Sequence, residues 1–271
     1  GHQITVADLP LMKKILFLLC LALSAGAVGA AEKTKPLKVL LVTGRGFHDY
    51  TAQKKILKDG ISARANVDIT VVQEGDTREH RMSIYEKADW AKGYDVIVHN
   101  ECFGLVADKE FVERVAAPHR DGLPAVILHA SVHSYRNAPT DEWRQVIGQR
   151  SMSHETKRDI VIKSLGTGSP VMHGFPETWA DAQDELYKIE KTWPSVVPMA
   201  KSYGQETKQD HVVIWTNTYG KGRSFVTTLG HTNETMSTPA YLDLVTRGLL
   251  WACGKLKDDG QPAAGYGPCG K

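Results

Sequence analysis

Short apolar runs alternate with amphipathic segments through the first half of the chain. Four runs have the continuous hydrophobic character of strands buried in a parallel sheet, and they cover residues 37–44, 67–72, 94–100 and 125–129. Between them lie two stretches with the apolar spacing of a helix, "YTAQKKILKDGISAR" and "DKEFVERVAAPHR". The second begins at Asp108, a residue type that commonly caps helices. Strands that alternate with helices predict an α/β fold with a doubly wound, mostly parallel sheet.

The pattern changes after Asn137, where strands dominate. Three strand-rich segments cover residues 158–164, 196–203 and 211–231. The last of them contains the sequence "YGKG" between two apolar runs, which predicts a hairpin turn. The second half therefore adds further strands to the predicted sheet.

A helix closes the domain. It begins at Pro239 and ends before Gly254, the usual positions of these residue types around a helix, and its apolar residues form one face. We expect a single domain over residues 36–256. The tail over residues 257–271 is rich in Gly and Pro and is predicted to be flexible.

Residues 12–30 are predicted to form a secretory signal peptide. Met12 is followed by two lysines, an apolar run covers residues 15–23, and small residues up to Ala30 form a cleavage site. The run is too short to anchor the protein in a bilayer. We interpret residues 1–11 as upstream sequence read through before the start. The expected product is exported to the periplasm or the extracellular space, without a stable membrane anchor.

The charge balance narrows the choice of partners. The chain has 33 Lys and Arg against 31 Asp and Glu, a net charge of +2 at pH 7. This balance gives no basis for binding nucleic acid, so a small neutral molecule is the favoured partner. The sequence indicates no oligomeric state. Either Cys253 and Cys269 form a disulfide, or both are free thiols together with Cys102.

Polar residues follow the predicted strands at the points where these end. Because the carboxyl ends of parallel strands meet at one edge of a sheet, we expect a shared crevice of the kind that binds small molecules. Several histidines at such positions predict a functional site better than any single one does. The candidate residues are His48, Asp49, Asn100, Glu101, His129, His133, Tyr135, His154, Asp184, Glu185 and His231.

The histidines leave two chemistries open. One is a site without a cofactor, in which the imidazoles act alone. The other is a divalent metal, zinc or manganese, held by His129, His154 and His231. His129 and His133 have the spacing of one helix face, which suits a metal, although no HExxH motif or pair of cysteines supports zinc. No nucleophile motif frames Cys102, which we interpret as a partly buried free thiol.

From Lys38 to Gly254 the chain resembles the ThuA-like family, named for trehalose utilisation. The resemblance rests on "GFHDY", "LHA", "MSH" and "DELY" and, most specifically, on "WTNTYGKGRSFVTTLGH" with "PAYLDLVTRGLLWACG". It implies the flavodoxin-like fold of the class I glutamine amidotransferases. Amidotransferases of this fold carry a nucleophilic cysteine on the turn after the corresponding strand. Here that turn begins with His129 and has no cysteine, so we expect no glutamine amidotransferase activity.

The resemblance also implies a role in sugar catabolism, with a 3-keto-glycoside or related keto-sugar as substrate. A C–H bond beside a ketone is acidic, so a positioned base would drive isomerisation or elimination. We predict His129 as the base, His231 or His48 as the partner acid, and Glu185 as the residue that orients one of them. The other candidates would bind the sugar, with Asn100 on a hydroxyl. Two further classes stay open: a non-catalytic periplasmic carbohydrate-binding protein and a metal-dependent hydrolase.

Overall fold

The computed structural model describes residues 34–44 and 46–268. Its strands are β1 (Leu37–Thr43), β2 (Val67–Gln73), β3 (Val96–Asn100), β4 (Ala125–Leu128), β5 (Gln149–His154), β6 (Arg158–Ser164), β7 (Thr178–Asp184), β8 (Tyr187–Thr192), β9 (Val197–Tyr203), β10 (Asp210–Tyr219) and β11 (Gly222–Thr227). Its α-helices are α1 (Tyr50–Ser62), α2 (Lys109–Asp121), α3 (Glu142–Ile147), α4 (Asn233–Ser237) and α5 (Pro239–Ala252). Short 3-10 helices cover Ser83–Glu86, His129–His133 and Pro170–Met172.

A nine-stranded sheet in the order β2-β1-β3-β4-β11-β10-β9-β6-β7 forms the centre of the domain. The pairs from β2 to β11 are parallel, and Ser224 of β11 lies opposite Ala125 of β4. The pairs from β11 to β7 are antiparallel. The predicted α/β sheet is thus confirmed, and the strands of the second half extend it on one side.

Helices cover both faces of the sheet, and the side chains of β1 explain why. Val39 and Leu41 belong to a core that includes residues of α1 and α5, whereas Leu40 belongs to a second core with residues of α2 and α3. Successive strand side chains point to opposite faces, so a strand that is apolar at every position is covered on both. Burying one such side chain completely stabilises the fold by about 1.5–3 kcal/mol.

Helix α5 lies unusually close to β11 because of Gly248. A Cβ atom at this position would lie 2.2 Å from the ring of Phe225 in the strand. No larger residue fits unless the helix moves away from the sheet. The contact packs α5 directly on β11, and the segment that connects them carries His231.

A separate two-stranded sheet of β5 and β8 brings two parts of the second half together. The pairing places His154 opposite Tyr187. The sequence motifs "MSH" and "DELY" therefore lie side by side, although about thirty residues separate them along the chain. The pattern of apolar residues had not predicted this sheet.

The described part of the tail is packed against the domain, which differs from the expectation of a loosely held segment. Leu256 forms an isolated bridge with Pro262. The carbonyl oxygens of Gly265 and Tyr266 accept hydrogen bonds from the side chain and backbone of Asn66, at 2.9 and 3.0 Å. Backbone hydrogen bonds, which Gly and Pro content does not reveal, hold this segment.

Several sequence predictions lie outside the described residues. These are the upstream segment 1–11, the signal peptide 12–30 with its cleavage near Ala30, and the pairing of Cys253 with Cys269. Within residues 34–44 and 46–268, no helix combines the length and apolar character that crossing a membrane requires.

Candidate functional site

A cavity of about 230 Å³ opens where the parallel strands end. Its lining includes His48 from the segment after β1, Cys102 after β3, His133 after β4 and His231 after β11. This is the crevice that the strand ends predicted. Its volume is at the small end for ligand sites, so it suits one ring of a small molecule rather than an extended polymer.

Three imidazoles converge at one end of the cavity: those of His48, His129 and His231. The ring centroid of His48 lies 4.9 Å from those of both His129 and His231, and the latter two are 5.4 Å apart. One nitrogen from each ring lies within 4.8 Å of the others. We call these three residues the histidine cluster.

His129 has an unusual backbone conformation that turns its ring beneath the cavity. Its φ of 42° falls in the left-handed region, directly after β4. The ring nitrogen Nδ1 lies 2.7 Å from the carbonyl oxygen of Thr228 and must donate to it. In the neutral ring, Nε2 therefore presents a lone pair, and this buried atom has no hydrogen-bond partner. Burial lowers the pKa of His129 to about 4, which favours this neutral form.

Glu185 lies among the histidines and borders the cavity. Its carboxylate oxygens are 3.6 Å from Nε2 of His129, 3.6 Å from Nε2 of His154 and 3.5 Å from Nδ1 of His231. All three distances exceed ordinary hydrogen-bond lengths. Burial raises the pKa of Glu185, but His231, His129 and His154 outweigh it and lower the pKa to about 2.

The other two members of the histidine cluster differ in their electrostatics. Burial, followed by the neighbouring His129 and His231, lowers the pKa of His48 to about 3. The adjacent Glu185 carboxylate raises the pKa of His231. Nδ1 of His231 is buried and lacks a hydrogen-bond partner, like Nε2 of His129. Imidazole nitrogens without hydrogen-bond partners beside a carboxylate are the kinds of groups that bind divalent transition metals.

Asp184 does not line the cavity but holds the backbone of residues that do. It is completely buried, and its carboxylate accepts hydrogen bonds from the backbone nitrogens of Glu185 at 2.6 Å, Gly230 at 2.9 Å and His231 at 3.3 Å. Burial raises the pKa of Asp184. One carboxylate therefore ties the segment before β8 to the segment after β11. This role differs from the substrate binding expected for it.

His133 and His154 form a wall of the cavity together with Tyr187. The rings of His133 and Tyr187 are stacked with centroids 3.9 Å apart and planes 7° apart. Nε2 of His133 lies 2.9 Å from the hydroxyl of Ser151, which fixes the ring. His154 lies beside this pair and does not belong to the three-nitrogen group. The three-nitrogen group contains His48 in place of His154, which the sequence had named as a possible ligand.

Four other predicted binding residues do not reach the cavity. Asn100, Glu101 and Tyr135 are at most 1% exposed and lie inside the fold. Glu101 accepts from the hydroxyls of Tyr85 and Ser131. Asp49 caps α1 instead, because one of its oxygens accepts from the backbone nitrogen of Ala52 and the other from Asn233. The strand ends predicted their neighbourhood but not the direction of their side chains.

Several lining residues had not been predicted: Phe47, Arg78, Arg136 and Tyr187. Arg78 follows β2, whose carboxyl end also faces the crevice, so the strand-end argument could have found it. Arg136 directly follows the predicted residue Tyr135, and Tyr187 is the last residue of the noted motif "DELY". Cys102 is partly exposed and free, as expected, and burial raises the pKa of its thiol to about 11.

The fold and the cavity define the class of protein, an α/β protein of the class I glutamine amidotransferase-like type with histidines in its cleft. A solved structure of a putative GMP synthase component from Thermoplasma acidophilum is similar over 82% of this chain and 96% of its own, with a TM-score of 0.50 and 13% identity. Likeness at this identity concerns the fold alone.

The family model ThuA, trehalose utilisation, matches residues 38–252, and the chain belongs to this family. A putative ThuA-like protein from Parabacteroides merdae is 21% identical, with a TM-score of 0.66 over 86% of this chain and 97% of that one. One from Bacteroides uniformis is 12% identical, with a TM-score of 0.61 over 84% and 96%. No curated protein matches the chain.

Proposed function

We propose that the protein is an enzyme of sugar catabolism that removes a proton beside the ketone of a 3-keto-glycoside or related keto-sugar, with a divalent cation in its histidine cluster. The family's link to trehalose utilisation supports a carbohydrate substrate. One observation carries the proposal: three imidazoles with nitrogens within 4.8 Å of one another stand beside a carboxylate at a cavity of small-molecule size.

The groups around Glu185 fit a cation. Nε2 of His129 and Nδ1 of His231 are buried without hydrogen-bond partners, and both point toward the carboxylate. Lone pairs that face a carboxylate repel it unless a proton or a cation lies between them. His48, His129 and His231 would hold the ion, and zinc or manganese suits these ligands. A bound divalent cation polarises the carbonyl of a substrate.

Of the residues that the sequence had assigned to proton transfer, His48 and His231 border the cavity and His129 does not. His129 is 1% exposed and lies behind the lining, so its role is to hold the cation and not to act as the base. Glu185 is the only carboxylate in the described lining, and we assign it as the base. His231 stands next to Glu185 and would hold the cation, so we assign the return of the proton to the enediolate to Glu185 itself, which carries that proton after the first step.

The test follows hydrogen exchange in a 3-keto-disaccharide. The full chain, supplied with zinc or manganese, is incubated with the sugar in deuterated buffer and followed by proton NMR. The signal beside the ketone should disappear, and Glu185→Gln should slow its loss by about a hundred- to ten-thousandfold. Glu190→Gln is the matched control, because Glu190 is 44% exposed and pairs with Arg150 away from the cavity.

Two results would overturn the proposal and favour a rival class. Binding of the sugar without exchange or new products would indicate a non-catalytic carbohydrate-binding protein. Cleavage of the glycosidic bond that a chelator abolishes, without exchange beside the ketone, would indicate a metal-dependent hydrolase. Export to the periplasm or the extracellular space stays a prediction from the sequence, and cell fractionation tests it.

A further inference from the structure

Two arginines border the same cavity as Glu185 and His231: Arg78 and Arg136. Neither guanidinium forms an ion pair with a carboxylate of residues 34–44 or 46–268. Of the eleven arginines described there, eight pair with an Asp or Glu: Arg64, Arg81, Arg114, Arg120, Arg144, Arg150, Arg158 and Arg247. Two of the remaining three meet at one cavity, which concentrates uncompensated positive charge there.

Arg136 is held with part of its guanidinium free. One terminal nitrogen, Nη1, donates to the carbonyl oxygen of Met152 at 2.9 Å. Within the described residues, Nε and Nη2 have no acceptor. Gly104 provides the room for this arrangement, because a Cβ atom there would lie 3.3 Å from Nε of Arg136. The side chain is thus fixed on one side and open to the cavity on the other.

Arg78 is held by a ring instead of a hydrogen bond. Its guanidinium carbon lies 4.7 Å from the ring centroid of Phe47, and no described acceptor takes its N–H groups. Arg81 makes the same kind of contact with Phe111, also at 4.7 Å, but it pairs with Glu86 and Asp108 at 2.7 Å each. The two side chains stand three residues apart in the sequence, and only the one at the cavity lacks a counter-charge.

The charges of both guanidiniums affect the pKa of the Cys102 thiol, which lies just after β3. Burial raises the pKa of Cys102 to about 11, and the charges of Arg136 and Arg78 oppose this rise. Both positive charges therefore act on one part of the cavity. A guanidinium offers a fork of N–H donors that matches the oxygens of a carboxylate or a phosphate.

We propose that the sugar bound in this cavity carries an anionic substituent, a phosphate or a carboxylate, which Arg78 and Arg136 bind together. That the ligand is a sugar rests on the function proposed above, whereas the preference for an anion rests on the arginines alone. Both guanidiniums would pair with the substituent while the ketone faces Glu185 and His231. We therefore expect an anionic substrate, whereas the net charge of +2 had favoured a neutral one.

Calorimetry with unreactive sugars tests this preference. The full chain is titrated with glucose, glucose 6-phosphate, glucuronate and inorganic phosphate. At least one of the two anionic sugars should bind at least about tenfold more tightly than glucose. Arg78→Gln and Arg136→Gln should each weaken binding of that sugar by about ten- to a hundredfold and leave glucose unchanged. Arg136→Lys should recover part of the loss, because it keeps the charge without the fork.

Arg81→Gln is the matched control. It removes the same charge and the same kind of ring contact outside the cavity lining, and it should leave the affinity for the anionic sugar unchanged. Arg78 is exposed, so its variant keeps the test valid even where Arg136→Gln fails to fold. Which of the two sugars binds more tightly distinguishes a phosphate from a carboxylate.

Three results overturn the inference. One is equal or undetectable binding of glucose and both anionic sugars at millimolar concentrations. Another is tighter binding that neither arginine substitution weakens. The third is inorganic phosphate binding as tightly as the sugar phosphate, which shows an anion site unrelated to a sugar. Hydrogen exchange in the keto-sugar is measured separately, so failure of this inference and failure of the proposed function are told apart.

Discussion

Two groups of histidines and a carboxylate lie in this domain, and they differ in how far their polar atoms are satisfied. The first group, which we call the closed network, joins Tyr85, His99, Glu101 and His119. Nδ1 of His99 lies 2.9 Å from Glu101, and its Nε2 lies 3.1 Å from Nε2 of His119. Nδ1 of His119 donates to the carbonyl oxygen of Leu123 at 2.9 Å, which completes the chain.

The histidine cluster contains the same kinds of groups, but some of their buried nitrogens lack hydrogen-bond partners. Nε2 of His129 and Nδ1 of His231 are buried and unpartnered, and their distances to Glu185 are 3.6 and 3.5 Å. Buried polar groups are almost always paired, so each unpaired one requires an explanation. A closed network stabilises the fold, whereas an open cluster beside a cavity is prepared for a ligand. The satisfaction of hydrogen bonds separates the two more clearly than residue type does.

Removing the carboxylate of the closed network should have the largest effect on stability. Glu101→Leu removes the carboxylate that lies 2.9 Å from Nδ1 of His99, in a completely buried place. A buried polar atom left without its partner costs about 1–3 kcal/mol, and Glu101 also accepts from Tyr85 and Ser131, so we expect a loss of at least about 3 kcal/mol in the free energy of unfolding by urea. Glu177→Ala, at an exposed position, should stay within about 0.5 kcal/mol. An unchanged free energy of unfolding in Glu101→Leu would contradict the view that the closed network stabilises the fold.

Removing a member of the open cluster should affect cation binding instead. His48→Ala and His231→Ala should each weaken zinc binding by at least about a hundredfold, since loss of even an outer partner costs ten- to a hundredfold. The free energy of unfolding of the metal-free protein should change by less than about 1 kcal/mol.

Titration calorimetry on the metal-free full chain measures this affinity. His173→Ala is the control, because this histidine is exposed and lies outside the three-nitrogen group. Zinc affinity that survives both cluster substitutions would contradict the assignment of the ligands.

Glu155 offers a third carboxylate that extends the comparison to acid pH. Burial raises its pKa, but hydrogen bonds from Thr207, Arg158 and Gln205 outweigh this and lower it to about 2. Its stabilisation is therefore complete above about pH 4.5 and is lost as the pH falls toward 2. Glu155→Gln should cost about 2 kcal/mol at pH 7 and flatten the acid dependence of urea unfolding. Glu234→Gln should leave that dependence unchanged.

Removing the hydroxyl of Tyr85 from the closed network should have the smallest effect on stability. The hydroxyl of Tyr85 lies 3.2 Å from Glu101 and 3.3 Å from His99, both long for hydrogen bonds. Tyr85→Phe should therefore cost only about 1 kcal/mol in the free energy of unfolding. A loss as large as that of Glu101→Leu would mean that the phenol, and not the carboxylate, holds the network together.

The sequence predicted the fold well because burial on both faces of the sheet leaves a strong pattern. The apolar run at 125–129 matches β4, and the "YGKG" turn joins β10 and β11 as expected. The small sheet of β5 and β8 left no such pattern, because β5 reads "QRSMSH" and half of its residues are exposed or nearly so. β5 forms a strand because it pairs with β8. Pairing between segments that are distant in the chain leaves no pattern in the local sequence.

The candidate site was predicted in part for the same physical reason. Strand ends located His48 and His231 near one cavity, since topology decides that neighbourhood, whereas Glu185 was named from the "DELY" motif and not from a predicted strand end. The direction of each side chain depends on the backbone, and the left-handed φ of His129 turns its ring behind the lining. Local charge was also hidden, because a net charge of +2 says nothing about two unpaired arginines at one cavity.

The position of β11 has a consequence for the order in which the protein folds. This strand, residues 222–227, lies between β4 and β10 in the finished sheet. Until the ribosome has made it, β4 has no neighbour on that side and presents an open edge. The same late segment delivers His231 to His48, which was synthesised more than 180 residues earlier. Insertion of one strand thus completes the sheet and the cluster together, and no shorter nascent chain possesses either.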